Sequence, residues 1–254
     1  MKSTYFERPR GRFLWLGMVI PLSLLFGFLT YPYLSLRILW PSVTVLPDPT
    51  PHPFKHDYHF TSDWLSGQIP VWSSVLKAYQ AKPNVQYLEV GIYEGRSMLW
   101  MLDNILTDPT SHATGIDSYG LLGIDPFVGD LDVVKERFLL NLKLSGQAER
   151  VTVIQGFSQI ELRKLPLESY DIVYIDGSHR SDDTLEDIVL SSRLLKPGGL
   201  LIMDDYGKAW FYEGYRQPFD KPQFAMDSFY AAFRSKFDVV HRAYQVILRK
   251  KPSA

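Results

Sequence analysis

Residues 170–179 read YDIVYIDGSH, and this stretch decides the fold class. The apolar run from Tyr170 to Ile175 is typical of a buried strand, and Asp176 follows it directly. A helical segment and a Lys-Pro-Gly-Gly turn then lead to a second strand, which closes with Asp204 and Asp205. Strands that are connected through a helix run parallel, so these three carboxylates are expected at one edge of a sheet. Open α/β sheets bind their ligands at that edge.

The same alternation of short apolar runs and helical segments extends from about Pro70 to the carboxyl terminus. It predicts an α/β fold with a mostly parallel sheet and helices on both faces, and two closing strands would bring the sheet to seven. The five preceding strands are predicted at Val85–Val90, Ala113–Asp117, Val151–Gln155, Tyr170–Ile175 and Gly199–Met203.

A glycine-containing loop follows the first strand, where residues 87–97 read YLEVGIYEGRS. The glycines allow the backbone to approach a ligand closely. The pattern is E-x-G-x-x-x-G, and Glu89 stands where a dinucleotide fingerprint needs glycine. A carboxylate there would repel a pyrophosphate and attract a cation such as a sulfonium or an amino group. The loop therefore argues against NAD and against a nicotinamide oxidoreductase.

Two other strand ends are candidates for binding a nucleoside. Asp117 ends the second strand, where an acidic side chain can accept hydrogen bonds from both hydroxyls of a ribose. Gly156, Phe157 and Ser158 end the third strand, where an apolar ring beside a small polar residue could border an adenine. Taken alone, each feature has a plain structural interpretation, as a turn or a helix cap.

The acidic strand ends predict a divalent-cation site, because Asp176, Asp204 and Asp205 offer hard oxygen ligands. A cation there would make a substrate hydroxyl more acidic. His179 lies three residues after Asp176 and could take the proton of that hydroxyl near neutral pH. Two alternatives stay open: His179 could only cap the next helix, and the metal shell could use one member of the 204/205 pair.

From about Val85 to Arg249 the chain resembles the class I S-adenosylmethionine-dependent methyltransferases, in particular the metal-dependent sugar and small-molecule O-methyltransferases. The resemblance implies a Rossmann-like fold, S-adenosylmethionine as cofactor and Mg²⁺ as metal. It implies that the metal is held by Asp176, Asp204 and Asp205, with His179 and Asp176 as catalytic residues. It assigns the cofactor to Glu89, Gly91, Gly95, Asp117, Gly156 and Ser158.

The acceptor is expected to be a hydroxyl of a sugar or another small polar molecule. Some catechol-type relatives place lysine at the position of His179, whereas the sugar-modifying branch resembles this chain in having histidine. The predicted activity is O-methyl transfer. A non-catalytic, membrane-anchored module that binds the cofactor or organises partners is the alternative.

The composition of the chain limits the kinds of binding partner that are expected. The 254 residues carry a formal net charge of -1 without a basic stripe, which speaks against a nucleic-acid partner. There is no cysteine, so disulfides, zinc-thiolate sites and thiol nucleophiles are excluded. A small-molecule or glycan acceptor is expected, and oligomerisation stays open.

The amino-terminal part is predicted to associate with a membrane. Residues 1–12 are basic, and residues 13–36 contain no charged residue and are long enough to span a bilayer. A buried or oligomerising helix, or a kinked hairpin at the membrane surface, is the alternative. Residues 37–60 are rich in proline and predict a linker, followed by a methyltransferase domain over 61–254. The location is thus predicted as a membrane with a single anchor. The basic end would place the domain on the far side, whereas cofactor supply favours the cytoplasmic face.

Overall fold

A seven-stranded sheet forms the centre of the structure, a computed structural model that describes residues 40–43, 45–50, 52–122, 124–125, 129–207 and 221–252. The strand order is β5-β2-β1-β6-β7-β9-β8. The first five strands in this order run parallel, whereas β9 is antiparallel to both β7 and β8. The sheet strands are β1 Gln86–Val90, β2 His112–Asp117, β5 Val151–Gln155, β6 Tyr170–Ile175, β7 Leu195–Met203, β8 Phe237–Arg242 and β9 Val246–Lys250.

Helices cover both faces of this sheet. They are α1 Ile69–Val75, α2 Arg96–Asn104, α3 Leu131–Leu144, α4 Ser158–Glu161, α5 Ser181–Leu194 and α6 Pro222–Phe233. One buried cluster joins the sheet to α1, α2 and α3 through side chains such as Trp72, Trp100 and Phe138. A second cluster on the other face includes Ile188 of α5 and Phe229 of α6. The predicted α/β fold, with a mostly parallel sheet between two helical layers, is confirmed.

Two details differ from the sequence-based expectation. Strand β7 begins at Leu195 and includes the predicted Lys-Pro-Gly-Gly turn, because Leu195 pairs with Tyr170 before the register shifts to Leu200 opposite Ile172. A short antiparallel hairpin, β3 Ile124–Asp125 and β4 Gly129–Asp130, precedes α3 and was not predicted. A two-residue strand is too short to produce an alternating pattern.

Residues 40–60, which the sequence predicts as a linker, contact the domain at buried points. The Trp40 ring stacks on Tyr230 with centroids 4.0 Å apart, and its indole N–H donates to Asp227 at 2.6 Å. The Lys55 amide and the Tyr58 hydroxyl donate to Asp103. The boundaries 37–60 and 61–254 stay predictions.

The predicted membrane location is corrected. Within the described ranges, no helix combines the length and the apolar character needed to cross a bilayer. The segment 13–36, on which that prediction depended, lies outside the described residues.

Candidate active site

The carboxyl ends of β6 and β7 lie side by side at one edge of the sheet. Ile175 and Met203 are paired in the parallel register, so the residues that follow each strand are neighbours. The Asp204 amide donates to the Ile175 carbonyl at 3.0 Å. The sequence predicted this juxtaposition, because both strands end in aspartate.

Asp176, His179 and Asp205 form a cluster of three donor side chains. One ligand atom from each lies within 4.8 Å of the others. His179 Nε2 is 2.7 Å from Asp205 Oδ2, and the His179 side chain is 43% exposed whereas that of Asp205 is buried. Two carboxylates and an imidazole at this spacing are a suitable donor set for a divalent cation.

Asp204 is placed differently from its neighbour. Its Oδ1 accepts the amide of Asp205 at 2.8 Å, and its Oδ2 accepts the hydroxyl of Tyr174 at 2.8 Å. Asp204 lies outside the three-residue cluster, and these two hydrogen bonds hold its carboxylate. The sequence predicted a cluster of three aspartates, whereas the cluster in the structure consists of Asp176, Asp205 and His179.

Two tyrosines support the acidic residues. The Tyr174 hydroxyl lies 2.9 Å from Asp176 Oδ2 and 2.8 Å from Asp204 Oδ2, and it has one proton for the two carboxylates. The Tyr244 hydroxyl donates to Asp205 Oδ1 at 2.8 Å. Both orient carboxylates from within the protein, and the sequence analysis did not identify either of them.

Burial and neighbouring charges shift the pKa values of the carboxyl groups at this edge of the sheet. Burial raises the pKa of Asp176 far above its usual range, and the charges of Asp204 and Asp205 raise it further. Burial and the charge of Asp205 also raise the pKa of Asp204. A cavity of about 10 Å³ lies among these side chains, the space that one water molecule or ion needs. The donor chemistry and the cavity both fit a divalent cation.

The glycine loop lies directly against this cluster. Gly91 and Gly95 have φ values of 86° and 80°, which disfavour any residue with a Cβ. A Cβ on Gly91 would be 2.0 Å from the backbone oxygen of Asp176, and one on Gly95 would meet Phe138 at 2.3 Å. The Asp176 amide also donates to the Val90 carbonyl.

Glu89 is fully buried below the glycine loop. It accepts a hydrogen bond from the Tyr87 hydroxyl at 2.7 Å and another from the Ser97 hydroxyl. Burial raises the pKa of Glu89 to about 8. Glu89 therefore supports the loop from inside. Ser97 is the second residue of α2 and bonds to Glu89.

Asp117 supports the same loop from the end of β2. Its Oδ2 accepts the amides of Ile92 and Tyr93 at 2.8 and 2.9 Å, and its Oδ1 accepts the amide of Tyr119 at 2.8 Å. An oxygen with two acceptor sites can still receive one further donor at Oδ1. Asp117 can thus hold the loop and accept a ligand hydroxyl.

Gly156 and Ser158 lie at the next strand end. The Gly156 amide donates to the Asp117 carbonyl at 2.9 Å, and Ser158 begins α4. The structure therefore gathers all the predicted cofactor and metal residues along the carboxyl edge of β1, β2, β5, β6 and β7.

Comparison with known families agrees with this geometry. Residues 88–206 match the family described as "Methyltransferase domain". The match runs from the first strand through the glycine loop to the residue after Asp205.

Residues 88–206, just under half of the chain, are similar to a methyltransferase domain.

The curated proteins that resemble this chain match only part of it. An uncharacterised protein of Acanthamoeba polyphaga mimivirus is 28% identical over 132 residues, which is 49% of this chain and 53% of that protein. A protein of Mycobacterium sp. (strain JLS), provisionally named an O-methyltransferase, is 32% identical over 116 residues, or 46% of each chain. The chain thus spans about half the length of the curated relatives it matches.

Solved structures share the fold of the methyltransferase domain. A provisionally named O-methyltransferase from Klebsiella pneumoniae aligns with a TM-score of 0.54 at 17% identity, over 76% of this chain and 83% of that one. TomG from Streptomyces achromogenes, in complex with SAM, gives 0.50 at 17% identity, over 72% and 78%. MycE, in complex with Mg and SAH, gives 0.50 at 18% identity, over 75% and 51%. The class I methyltransferase fold is confirmed.

Tyr87 and Tyr174, which both donate to acidic residues, leave a signal in the sequence, whereas Tyr244 does not. Side chains two residues apart on a strand share a face. Tyr87 precedes Glu89 by two residues on β1, and Tyr174 precedes Asp176 by two on β6. In each pair the tyrosine donates to the acidic residue. The spacing Tyr-x-acid at a strand end could therefore have identified both.

Proposed function

We propose that the chain is an S-adenosylmethionine-dependent O-methyltransferase that modifies a hydroxyl of a sugar or another small polar acceptor. The reaction would move a methyl group from the sulfonium to the hydroxyl oxygen, giving a methyl ether, S-adenosylhomocysteine and a proton. The observation that carries the proposal is the cluster of Asp176, His179 and Asp205 directly against the glycine loop.

Asp176 and Asp205 are the proposed holders of a divalent cation, and Asp204 beside them accepts the Asp205 amide and the Tyr174 hydroxyl. The cation would supply positive charge that makes an acceptor hydroxyl more acidic. Tyr174 and Tyr244 keep the carboxylates in place through their hydroxyl groups. This support reduces the reorganisation needed when the acceptor binds.

His179 is the proposed general base. Its Nε2 lies 2.7 Å from Asp205 Oδ2, and this contact orients the imidazole ring. The side chain is partly exposed at the edge of the cluster, so an acceptor hydroxyl can reach it. A second role, as a ligand of the cation, follows from its place in the cluster.

The cofactor is proposed to lie along the glycine loop. Gly91 and Gly95 permit a close approach of the backbone, and the free acceptor position of Asp117 Oδ1 suits a ribose hydroxyl. Gly156 and Ser158 border the adjacent end of the same edge. Glu89 contributes by supporting the loop from the interior.

The test is a methyl-transfer assay with the purified chain, S-adenosylmethionine and a panel of hydroxylated sugars and small molecules. Formation of S-adenosylhomocysteine is expected, and EDTA should abolish it. Asp176→Ala should lose turnover and keep affinity for S-adenosylhomocysteine. Unchanged turnover in EDTA would exclude the metal role, and absence of cofactor binding would exclude the activity.

His179→Ala separates the two roles of the histidine. If His179 is the base, the variant loses turnover while Mg²⁺ or Mn²⁺ still raises the unfolding temperature as in the wild type. If His179 is a ligand, the stabilisation by the cation weakens in parallel with turnover.

A further inference from the structure

Glu94 is a buried carboxylate in the middle of the glycine loop. It lies between Tyr93 and Gly95 and is 1% exposed. A buried carboxylate is tolerated only with hydrogen-bond donors around it. The acidic cluster described above does not include Glu94, so a buried carboxylate inside the loop needs another explanation.

The donors to Glu94 come from outside the loop. The Thr61 amide donates to Oε2 at 2.7 Å, and the Thr61 hydroxyl donates to Oε1 at 2.6 Å. Arg137 of α3 forms an ion pair with the same carboxylate. Glu94 thereby joins the loop to α3 and to a segment that precedes the sheet.

The same upstream segment contacts the loop on either side of Glu94. Arg96, the first residue of α2, pairs with Asp63 at 2.9 Å and donates to the Ser62 carbonyl at 3.3 Å. The Trp64 ring lies 5.0 Å from that of Tyr93. These contacts occupy the outer side of the loop.

The loop conformation is one that needs such support. Tyr93 has a φ of 53°, in the left-handed region that disfavours residues other than glycine. Asp117 holds the amide of Tyr93 from the inner side at 2.9 Å. A strained turn persists only when its surroundings fix it, and here it is fixed from both sides.

We propose that residues 59–66 form a clamp on the glycine loop, and that Thr61 and Glu94 are positioning residues that set the affinity for the adenosyl cofactor. The inference rests on the proposed function. A loop already held in its binding conformation loses less conformational entropy when the ligand binds, so it binds more tightly.

The experiment is titration calorimetry with S-adenosylhomocysteine on the full chain. Glu94→Gln keeps the size of the side chain but removes its charge, and Thr61→Val removes the hydroxyl donor while keeping the amide. We expect about tenfold weaker binding for Glu94→Gln and about threefold to tenfold for Thr61→Val, since hydrogen bonds to charged groups are the strong ones. Thr61→Ser restores the hydroxyl and should restore affinity.

Thr110→Val is the matched control. Thr110 is exposed, and its hydroxyl bonds to Asp108 in a surface turn, so cofactor affinity should stay within about twofold of the wild type. In turnover assays, the clamp variants should raise the KM for S-adenosylmethionine while kcat at saturating cofactor stays near the wild-type value.

The outcomes are distinct. Wild-type affinity in both Glu94→Gln and Thr61→Val overturns the clamp, even if their unfolding temperatures fall, because a purely structural role changes stability without changing the affinity of the folded protein. Absence of binding in the wild type instead overturns the proposed function. If Glu94→Gln does not fold, Thr61→Val and Thr61→Ser decide the question.

Discussion

Gly91 and Asp176 are in such close contact that the glycine loop and the acidic cluster form one unit. A Cβ added to Gly91 would lie 2.0 Å from the Asp176 backbone oxygen and 2.8 Å from the Gly177 Cα. The neighbouring amide of Asp176 donates to the Val90 carbonyl at 2.8 Å. A shift of either strand end must therefore displace the other.

Gly91→Ala should damage both sites at once. The methyl group would clash with backbone and force a left-handed alanine, so we expect a loss of unfolding free energy of about 3 kcal/mol or more. Binding of S-adenosylhomocysteine should be lost in whatever folds. Gly67→Ala is the control, since nothing lies within 4 Å of its Cβ position. Denaturant unfolding of both variants checks this, and equal stability would refute the steric argument.

A divalent cation should stabilise the chain through the acidic cluster. Ligands that bind the folded state raise its unfolding temperature, and the stabilisation grows with the logarithm of one plus the ligand concentration divided by Kd. We expect Mg²⁺ or Mn²⁺ to raise the unfolding temperature of the wild type, and EDTA to reverse the rise. Asp205→Asn should lose this response.

Asp205→Asn should also be more stable than the wild type when no cation is present. The substitution removes a charge that repels Asp176, which is worth about 1 kcal/mol. Differential scanning fluorimetry in EDTA and in cation measures both effects. Equal cation responses of the two proteins would contradict the assignment of Asp205.

Asp187 should make the stability depend on pH. It is 1% exposed, and among the described residues neither of its oxygens has a hydrogen-bond partner. Burial raises its pKa to about 7. Because the folded chain keeps a proton that the unfolded chain releases, the contribution of Asp187 to stability falls as pH rises from about 4 to about 7.

Asp187→Asn should remove this loss of stability with rising pH. Relative to the wild type, the variant should gain on the order of 4 kcal/mol at pH 8 compared with pH 4. Asp182→Asn is the control, since Asp182 is exposed and its pKa is lowered by the Arg180 side chain. Denaturant unfolding at both pH values measures the difference, and parallel curves for Asp187→Asn and the wild type would be the contrary result.

Trp40 should be a major contributor to stability although it lies in the predicted linker. Trp40→Ala removes a buried ring stacked on Tyr230 and leaves Asp227 without the indole donor, so a loss of about 3–5 kcal/mol is expected. Trp40→Phe should cost less because a ring remains. Trp64→Ala is the contrast, since Trp64 is 60% exposed. Chemical denaturation with a small effect for Trp40→Ala would show that this packing contributes little.

Most of the fold was predictable because its signals are local. Each parallel strand is a short apolar run that ends in a glycine or an acidic residue, and the helices between them fix the strands as parallel. The positions of Asp176, Asp204 and Asp205 in the sequence were sufficient to predict that the ends of β6 and β7 lie together. The order of the two closing strands is likewise consistent with a tight turn near Ala243.

The remaining features depend on three-dimensional contacts that no local pattern records. Asp204 and Asp205 are adjacent in sequence, yet Tyr174 engages the first while the second faces His179. Proline in residues 40–60 predicts extended chain but not what that chain packs against. The supporting role of Glu89 could not be predicted either, because the sequence does not show whether this side chain faces a ligand or the protein interior.

The placement of Tyr244 has a consequence for biosynthesis. The turn between β8 and β9 brings Tyr244 to Asp205, and its carbonyl accepts the amide of Gly207, so the last hairpin completes the acidic cluster. A nascent chain that has reached β7 therefore has every acidic ligand but no Tyr244 to orient Asp205. Ribosome-bound chains stalled before residue 244 should have the sheet largely translated and yet be unable to retain the proposed cation, and competence should arise only once Tyr244 has left the exit tunnel.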